Sequence, residues 1–234
     1  MKPNFLFPKS IASLLMFALL CTITPAIHAQ SSGNRIVLKN DLGGYSGTQD
    51  FYTFQMDGGV FNSKTDLDDQ TLRVAPLDAD AKSVIRFDNI PLSRTSYGSV
   101  NRLALVLTFK EPAQPDTLML HNLNASDIWD ERRANYNSLN GTAPWSGADG
   151  KLIDAWMNTD GLTVITGNED VHSTLTIEIH PQDAAARKAV LDSWLDGSNQ
   201  GMVIRGISGT NEFYSSDAYN MAHRPELIIE LSSY

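Results

Sequence analysis

The chain has 234 residues, 27 acidic against 18 basic side chains, a net charge of −9 and one cysteine. That balance argues against nucleic acid or an anionic membrane as a general partner, although a local basic patch can still meet an anionic polymer. The one cysteine, Cys21, excludes disulfides within the chain and thiolate metal sites, so stability must come from an ordinary core, with calcium as the structural cation to consider.

Lys2 and Lys9, the apolar run "IASLLMFALLCTI" and the small residue Ala29 before Gln30 have the form of a secretory signal. Residues 1–29 are therefore expected to be cleaved, and the protein to be secreted, periplasmic or extracellular. A lipoprotein signal is the rival, but Leu20 stands before Cys21 where a lipobox needs Gly, Ala or Ser. No later stretch approaches the ~20 apolar residues of a transmembrane helix. Residues 30–234 suit a single domain of the all-β kind.

From Arg35 onward, short apolar alternations recur between turn-forming clusters, the pattern of a sandwich or barrel. In chain order the strand segments are "RIVLKN", "DFYTFQ", "QTLRVAP", "SVIRFDNI", "NRLALVLTF", "DTLMLHNLN", "LTVI", "STLTIEIH", "GMVIRGI", "NEFYSS" and "PELIIEL". The sharpest is "NRLALVLTF", in which Leu103, Leu105, Leu107 and Phe109 share one face and are predicted to lie in the core. Between "DTLMLHNLN" and "LTVI" runs a long loop, "IWDERRANYNSLNGTAPWSGADG", too rich in Asn, Gly and Pro for regular structure. Loops of that length are functional or unusually well anchored. Before "GMVIRGI" the segment "PQDAAARKAVLDSWLDGSN" predicts one short helix over about residues 183–196, with Asp183 as N-cap and Gly197 as stop.

Six motifs in order, "GGYSGTQDFY", "TLRVA" with "SVIRFDNIPL", "LALVLTF", "DIWDERRANYN" with "APWSG", "SWLDGSNQGMVIRG" and "FYSSDAYNMAHRPELIIEL", resemble the DNRLRE-type extracellular domain across nearly all of residues 30–234. That domain is similar to the disaggregatase-related repeats and to a carbohydrate-binding module family typified by alginate-binding modules. The resemblance implies a non-catalytic, two-sheet jelly-roll β-sandwich and polysaccharide as partner.

Ser215, Asp217 and His223 stand in the chain order of an α/β-hydrolase triad, but no G-x-S-x-G elbow surrounds Ser215. Two closing strands are the better reading there. Arg73, Arg86, Arg102 and Arg205 each sit beside an apolar strand residue, so each points away from its neighbours' core face. If their strands share a sheet they form a stripe whose planar guanidinium forks match the carboxylates of a uronate-rich polysaccharide. The alternative is local pairing with carboxylates such as Asp88. Trp129, Tyr136 and Trp145 are the candidate platforms for a pyranose face, and their alternative is a small core anchoring the loop. Trp156 and Trp194 read as packing residues.

The acids of "TDLDD" (Asp66, Asp68, Asp69), "LDAD" (Asp78, Asp80) and "NED" (Glu169, Asp170) offer hard oxygen ligands for calcium, without the spacing of a D-x-D-x-D-G loop. Solvated turns are the alternative for each. His121, His172, His180 and His223 show no metal-ligand spacing, and Asn124 and Asn140 open glycosylation sequons. Function is thus expected to be non-catalytic binding of an acidic polysaccharide. The alternatives are a structural or adhesive surface protein without glycan affinity, and a polysaccharide hydrolase or lyase using two of the acids.

Overall fold

The computed structural model describes residues 30–32, 34–56, 59–65, 70–76, 81–152 and 162–232. The expected signal, Trp156, and Asp66, Asp68, Asp69, Asp78 and Asp80 lie outside the described residues. In chain order the elements are β1 (Gln30–Ser32), β2 (Arg35–Leu38), β3 (Thr48–Met56), β4 (Gly59–Asn62), β5 (Thr71–Val74), β6 (Lys82–Phe87), β7 (Ser99–Thr108), β8 (Asp116–Asn124), β9 (Leu162–Thr166), β10 (Thr174–Glu178), α1 (Ala184–Leu195), β11 (Asn199–Gly206), β12 (Asn211–Tyr214) and β13 (Glu226–Ser232). All eleven expected strand segments are present. The additions are β1 and β4, each too short to show an alternation.

The fold is all-β, two antiparallel sheets packed face to face with one helix. One sheet has the order β1-β2-β13-β7-β10 and the other β4-β3-β6-β11-β8-β9. Strand alternation sends one face of each inward. Leu103, Leu105, Leu107 and Phe109 are fully buried as expected, and meet Ile229 and Leu227 of their own sheet and Ile85, Leu120 and Ile204 of the other. The short pair β5-β12 closes one side, where Phe109 bridges Phe213 with ring centroids 4.7 Å apart.

Helix α1 lies within one residue of its expected bounds. The Asp183 side chain accepts from Ala186 N at 2.9 Å, which supplies a partner to one of the free N–H groups at the helix start. Val190 and Leu191 face the core, and the buried Arg187 donates to the carbonyls of Val100, His180 and Pro181, fastening the helix over one end of the sandwich. No helix among the described residues is long and apolar enough to cross a membrane.

The two sheets differ on their outer faces. Among the described residues, the five-stranded sheet carries a small apolar cluster of Val37, Ala104 and Ile228. On the six-stranded sheet, Phe51, Val84, Leu123 and Val203 are covered by the long loop through Trp129, Ala134, Leu139, Trp145 and Leu152, making a second core. The molecule is therefore three layers thick on that side, with the loop as the third.

Candidate functional site

The expected arginine stripe is not formed, because the four residues belong to three different sheets. Arg73 is on the two-stranded sheet beside Glu212, its register partner on β12, at 3.7 Å. Arg102 is on the outer face of the five-stranded sheet, bound to Glu178 at 2.6 Å and near Glu230 at 3.6 Å. Only Arg86 and Arg205 share the outer face of the six-stranded sheet. Arg205 is opposite Lys82 of β6 and Met119 of β8, its guanidinium 3.1 Å from the Met119 sulfur. Local alternation states which side of a strand a residue occupies; it does not state which sheet holds the strand.

The expected aromatic platforms are also corrected. Trp145 is 2% exposed, Trp129 3% and Tyr136 5%, so these rings pack rather than present a face to solvent. Their polar atoms fix the loop: Trp145 Nε1 donates to Asn135 O at 2.9 Å, and Trp129 Nε1 to Gln200 O at 2.8 Å. The Asn, Asp and Gly content of the loop now has a physical role. Asp127, fully buried, accepts from Ser146 N and Oγ, Asp130 accepts from the backbone of Arg132 and Arg133, and Asn140 accepts from that of Thr142 and Ala143. Side-chain acceptors thus replace the ladder partners that an irregular backbone lacks.

Where the loop meets β3 and β6, an open groove of about 530 Å³ is lined by Gln49, Arg86, Ile128, Trp129, Glu131, Arg132 and Arg133, among others. Arg86 lies over the Trp129 ring at 4.4 Å, donates to Gln49 Oε1 at 2.6 Å and pairs with Asp88 at 2.8 Å. Stacking and two polar partners hold its fork in one orientation. Arg133 binds Asp130 at 2.9 Å, and this bond, with those from the backbone, holds the Asp130 carboxyl below its usual range. Arg132 is exposed and has no ion pair among the described residues. Ile128, 68% exposed, adds an apolar surface. Arg132, Arg133, Ile128 and Gln49 were not singled out from sequence; the pair "RR" inside the long loop was the available signal.

Glu131 connects the groove to a buried ion cluster. Lys64, its side chain 1% exposed, lies 3.0 Å from Asp50, 2.6 Å from Asp217 and 3.8 Å from Glu131. The Asp50 contact is an ion pair and not an aligned hydrogen bond. Asp50 is fully buried and accepts from Ser216 N through Oδ2, while Glu131 accepts from Asp50 N. Burial raises the Asp50 carboxyl despite Lys64 and the Ser216 N–H, and burial raises Glu131 in the same way. Burial works against the Lys64 charge, yet Asp50, Asp217 and Glu131 outweigh it and hold the ammonium above the ordinary lysine range.

The triad order dissolves in three dimensions. The Asp217 carboxylate is taken by Lys64, and His223 stacks on His172 at 4.4 Å and lies tilted against Tyr214 at 4.6 Å. Burial, His172 and Lys39 lower the His223 pKa. This histidine pair was missed because 51 positions separate its members.

Lys82 lies buried on the same outer face, 5.3 Å from the Tyr136 ring centre. Burial, and then Arg205, push its pKa down to about 8 from an ordinary 10.5. Between these values the native chain has shed a proton that the unfolded chain keeps, so stability is expected to rise with pH through that window. Urea midpoints at pH 7.5 and 9.5 check this: Lys82→Met should flatten the rise, and an equal rise in the variant would refute the assignment.

Among the described residues no group of three or more His, Cys, Asp or Glu side chains is arranged to hold a metal ion. Glu169 of the "NED" cluster instead accepts from Gly167 N. No protein-family model matches the chain, and no curated protein matches its sequence.

Proposed function

We propose that this is an exported, non-catalytic β-sandwich of the DNRLRE type that binds an acidic polysaccharide along the groove beside Arg86. The observation that carries the reading is the groove itself, where Arg86, Arg132 and Arg133 converge with the Gln49 amide and the exposed Ile128. Guanidinium forks match carboxylates, an amide serves hydroxyls, and an apolar side chain receives a sugar face. The strand order supports a jelly-roll winding: β2-β13-β7-β10 faces β6-β11-β8-β9, as two wrapped Greek keys require.

The test is native electrophoresis in gels cast with alginate, pectin, xylan or a cellulose derivative, with and without EDTA. Retardation by a uronate polymer, weakened in high salt and lost in Arg86→Ala and in the Arg132→Ala, Arg133→Ala double variant, is the expected result. Arg102→Ala, on the opposite sheet, should bind as the parent does. Equal mobility in every gel would overturn the reading in favour of a structural or adhesive protein, and loss with EDTA alone would assign the contact to calcium.

Glu131 favours a second reading. A carboxyl raised by burial and facing a sugar groove, with Asp217 beyond Lys64, is suited to general acid work. New reducing ends from a polymer, lost in Glu131→Gln, would establish that activity.

A further inference from the structure

The buried cluster holds an amine and a carboxyl in contact. Lys64 lies in the turn that follows β4, and Asp50 lies on β3, the strand with which β4 pairs. Turn and strand are pinned together. Ser63 N donates to the Tyr52 carbonyl, Tyr52 N to Ser63 Oγ, and Lys64 N to Asn62 Oδ1. The Lys64 side chain is 1% exposed and that of Asp50 fully buried, with Nζ 3.0 Å from Oδ1. A small rotation of the carboxyl brings its carbon to the ~3 to 3.5 Å of two reacting atoms, and groups held so meet at an effective concentration of about 10⁵ M or more.

In water an amine and a carboxylic acid do not condense, because both are held as hydrated ions. Burial strips that hydration, and an amide would replace two buried charges by one N–H and one carbonyl. The groups around the pair supply the rest of the chemistry. Asp217, its side chain 44% exposed, accepts a hydrogen bond from Nζ at 2.6 Å and connects the nitrogen to solvent. Ser216 N donates to Asp50 Oδ2 at 2.7 Å, where negative charge gathers when the carboxyl carbon is attacked.

We propose that Lys64 and Asp50 condense after folding into an intramolecular isopeptide bond. The reaction balances without a co-reactant. One ammonium proton passes through Asp217 to Asp50 Oδ1, leaving a neutral amine and a carboxylic acid. Burial already raises the Asp50 carboxyl toward that protonated form. The Nζ lone pair then forms the N–Cγ bond, and the C=O electron pair moves onto Oδ2 against the Ser216 N–H. The nitrogen gives a second proton through Asp217 to the Oδ1 hydroxyl, the Cγ–Oδ1 bond breaks, and water leaves. Asp50, Asp217 and Glu131 hold Lys64 as the ammonium, so the free amine is scarce and the reaction slow, but each chain needs it only once. The bond fastens β4, which is an edge strand of its sheet, in a chain that can form no disulfide within itself. Replacing Lys64 removes the ion pair and the bond alike.

Mass spectrometry of the purified, denatured protein reads the loss of one water. Trypsin does not cut after an acylated lysine, so residues 40–73 should survive as a single fragment, one water light, where an unlinked chain is cut after Lys64. Lys64→Arg and Asp50→Ala should each keep the water, and the parent's own fragment decides the matter even where a variant fails to fold. Asp217→Asn, at a half-exposed position, should fold and form the bond about 100-fold more slowly. Parent protein kept in urea from synthesis onward should gain no bond. A folded parent of full mass that is cut after Lys64 would overturn the proposal, and so would a water loss that persists in Asp50→Ala.

Discussion

Lys64→Met is expected to lower the unfolding free energy by about 3 to 5 kcal/mol, the usual consequence of removing one partner of a buried ion pair. Asp50 is fully buried and Lys64 is its nearest cation. Without it the Asp50 carboxylate keeps only the Ser216 N–H, while Asp217 and Glu131 lose their shared counter-charge. The dependence on pH follows in sign. Burial already raises the Asp50 pKa above 3.8, and the variant raises it further, so the native state takes up this proton at higher pH than the unfolded state. The deficit should therefore be largest near neutrality and shrink as pH falls toward 4. Urea denaturation at pH 7 and pH 5 reads both effects, and adding Asp50→Asn should recover part of the loss. An unchanged midpoint at pH 7 would show that the cluster does not hold the fold.

Trp145→Ala is expected to cost a similar amount, about 3 to 5 kcal/mol, and to release the long loop before the sandwich itself unfolds. Trp145 is the largest fully buried side chain among the described residues, and its Nε1 donates to the Asn135 carbonyl. Truncation opens a cavity in the second core and leaves that carbonyl with the Ser138 N–H alone. The loop should become a preferred site of limited proteolysis between Asp127 and Leu152, while the sheet strands stay protected. Because Trp129, Arg132 and Arg133 ride on the same loop, polymer retardation should fall together with protection. A variant that is destabilised yet resists proteolysis in the loop would contradict this coupling.

The strands and the helix were legible because each is a local pattern. "NRLALVLTF" alternates for nine residues, and Asp183 and Gly197 punctuate α1 at both ends. β4 was not legible, since "GVFN" is too short to show a period, and neither was the pairing of strands. The site depends on that pairing. Arg86 and Arg102 look alike in sequence, each a basic residue beside an apolar one. One stacks on Trp129 over the six-stranded sheet, and the other bonds to Glu178 on the five-stranded sheet. The Lys64 cluster draws its acids from positions 50, 131 and 217, and no window of sequence contains them together. Within the long loop, the Asn and Asp residues announced an irregular backbone correctly, but the same residues gave no indication that they would pin its tryptophans inward.

The position of β13 has a consequence for the order of events in synthesis. It is a central strand, hydrogen-bonded to β2 on one side and to β7 on the other, so the first long strand of its sheet has no neighbour on that side until residues 226–232 have been made. Pairings that span nearly the whole chain are slow to form. A ribosome-bound intermediate therefore exposes the apolar edges of β2 and β7 throughout elongation, and such edges invite aggregation. Until β13 emerges this sheet cannot close, and covering those two edges is the task a holding chaperone would perform.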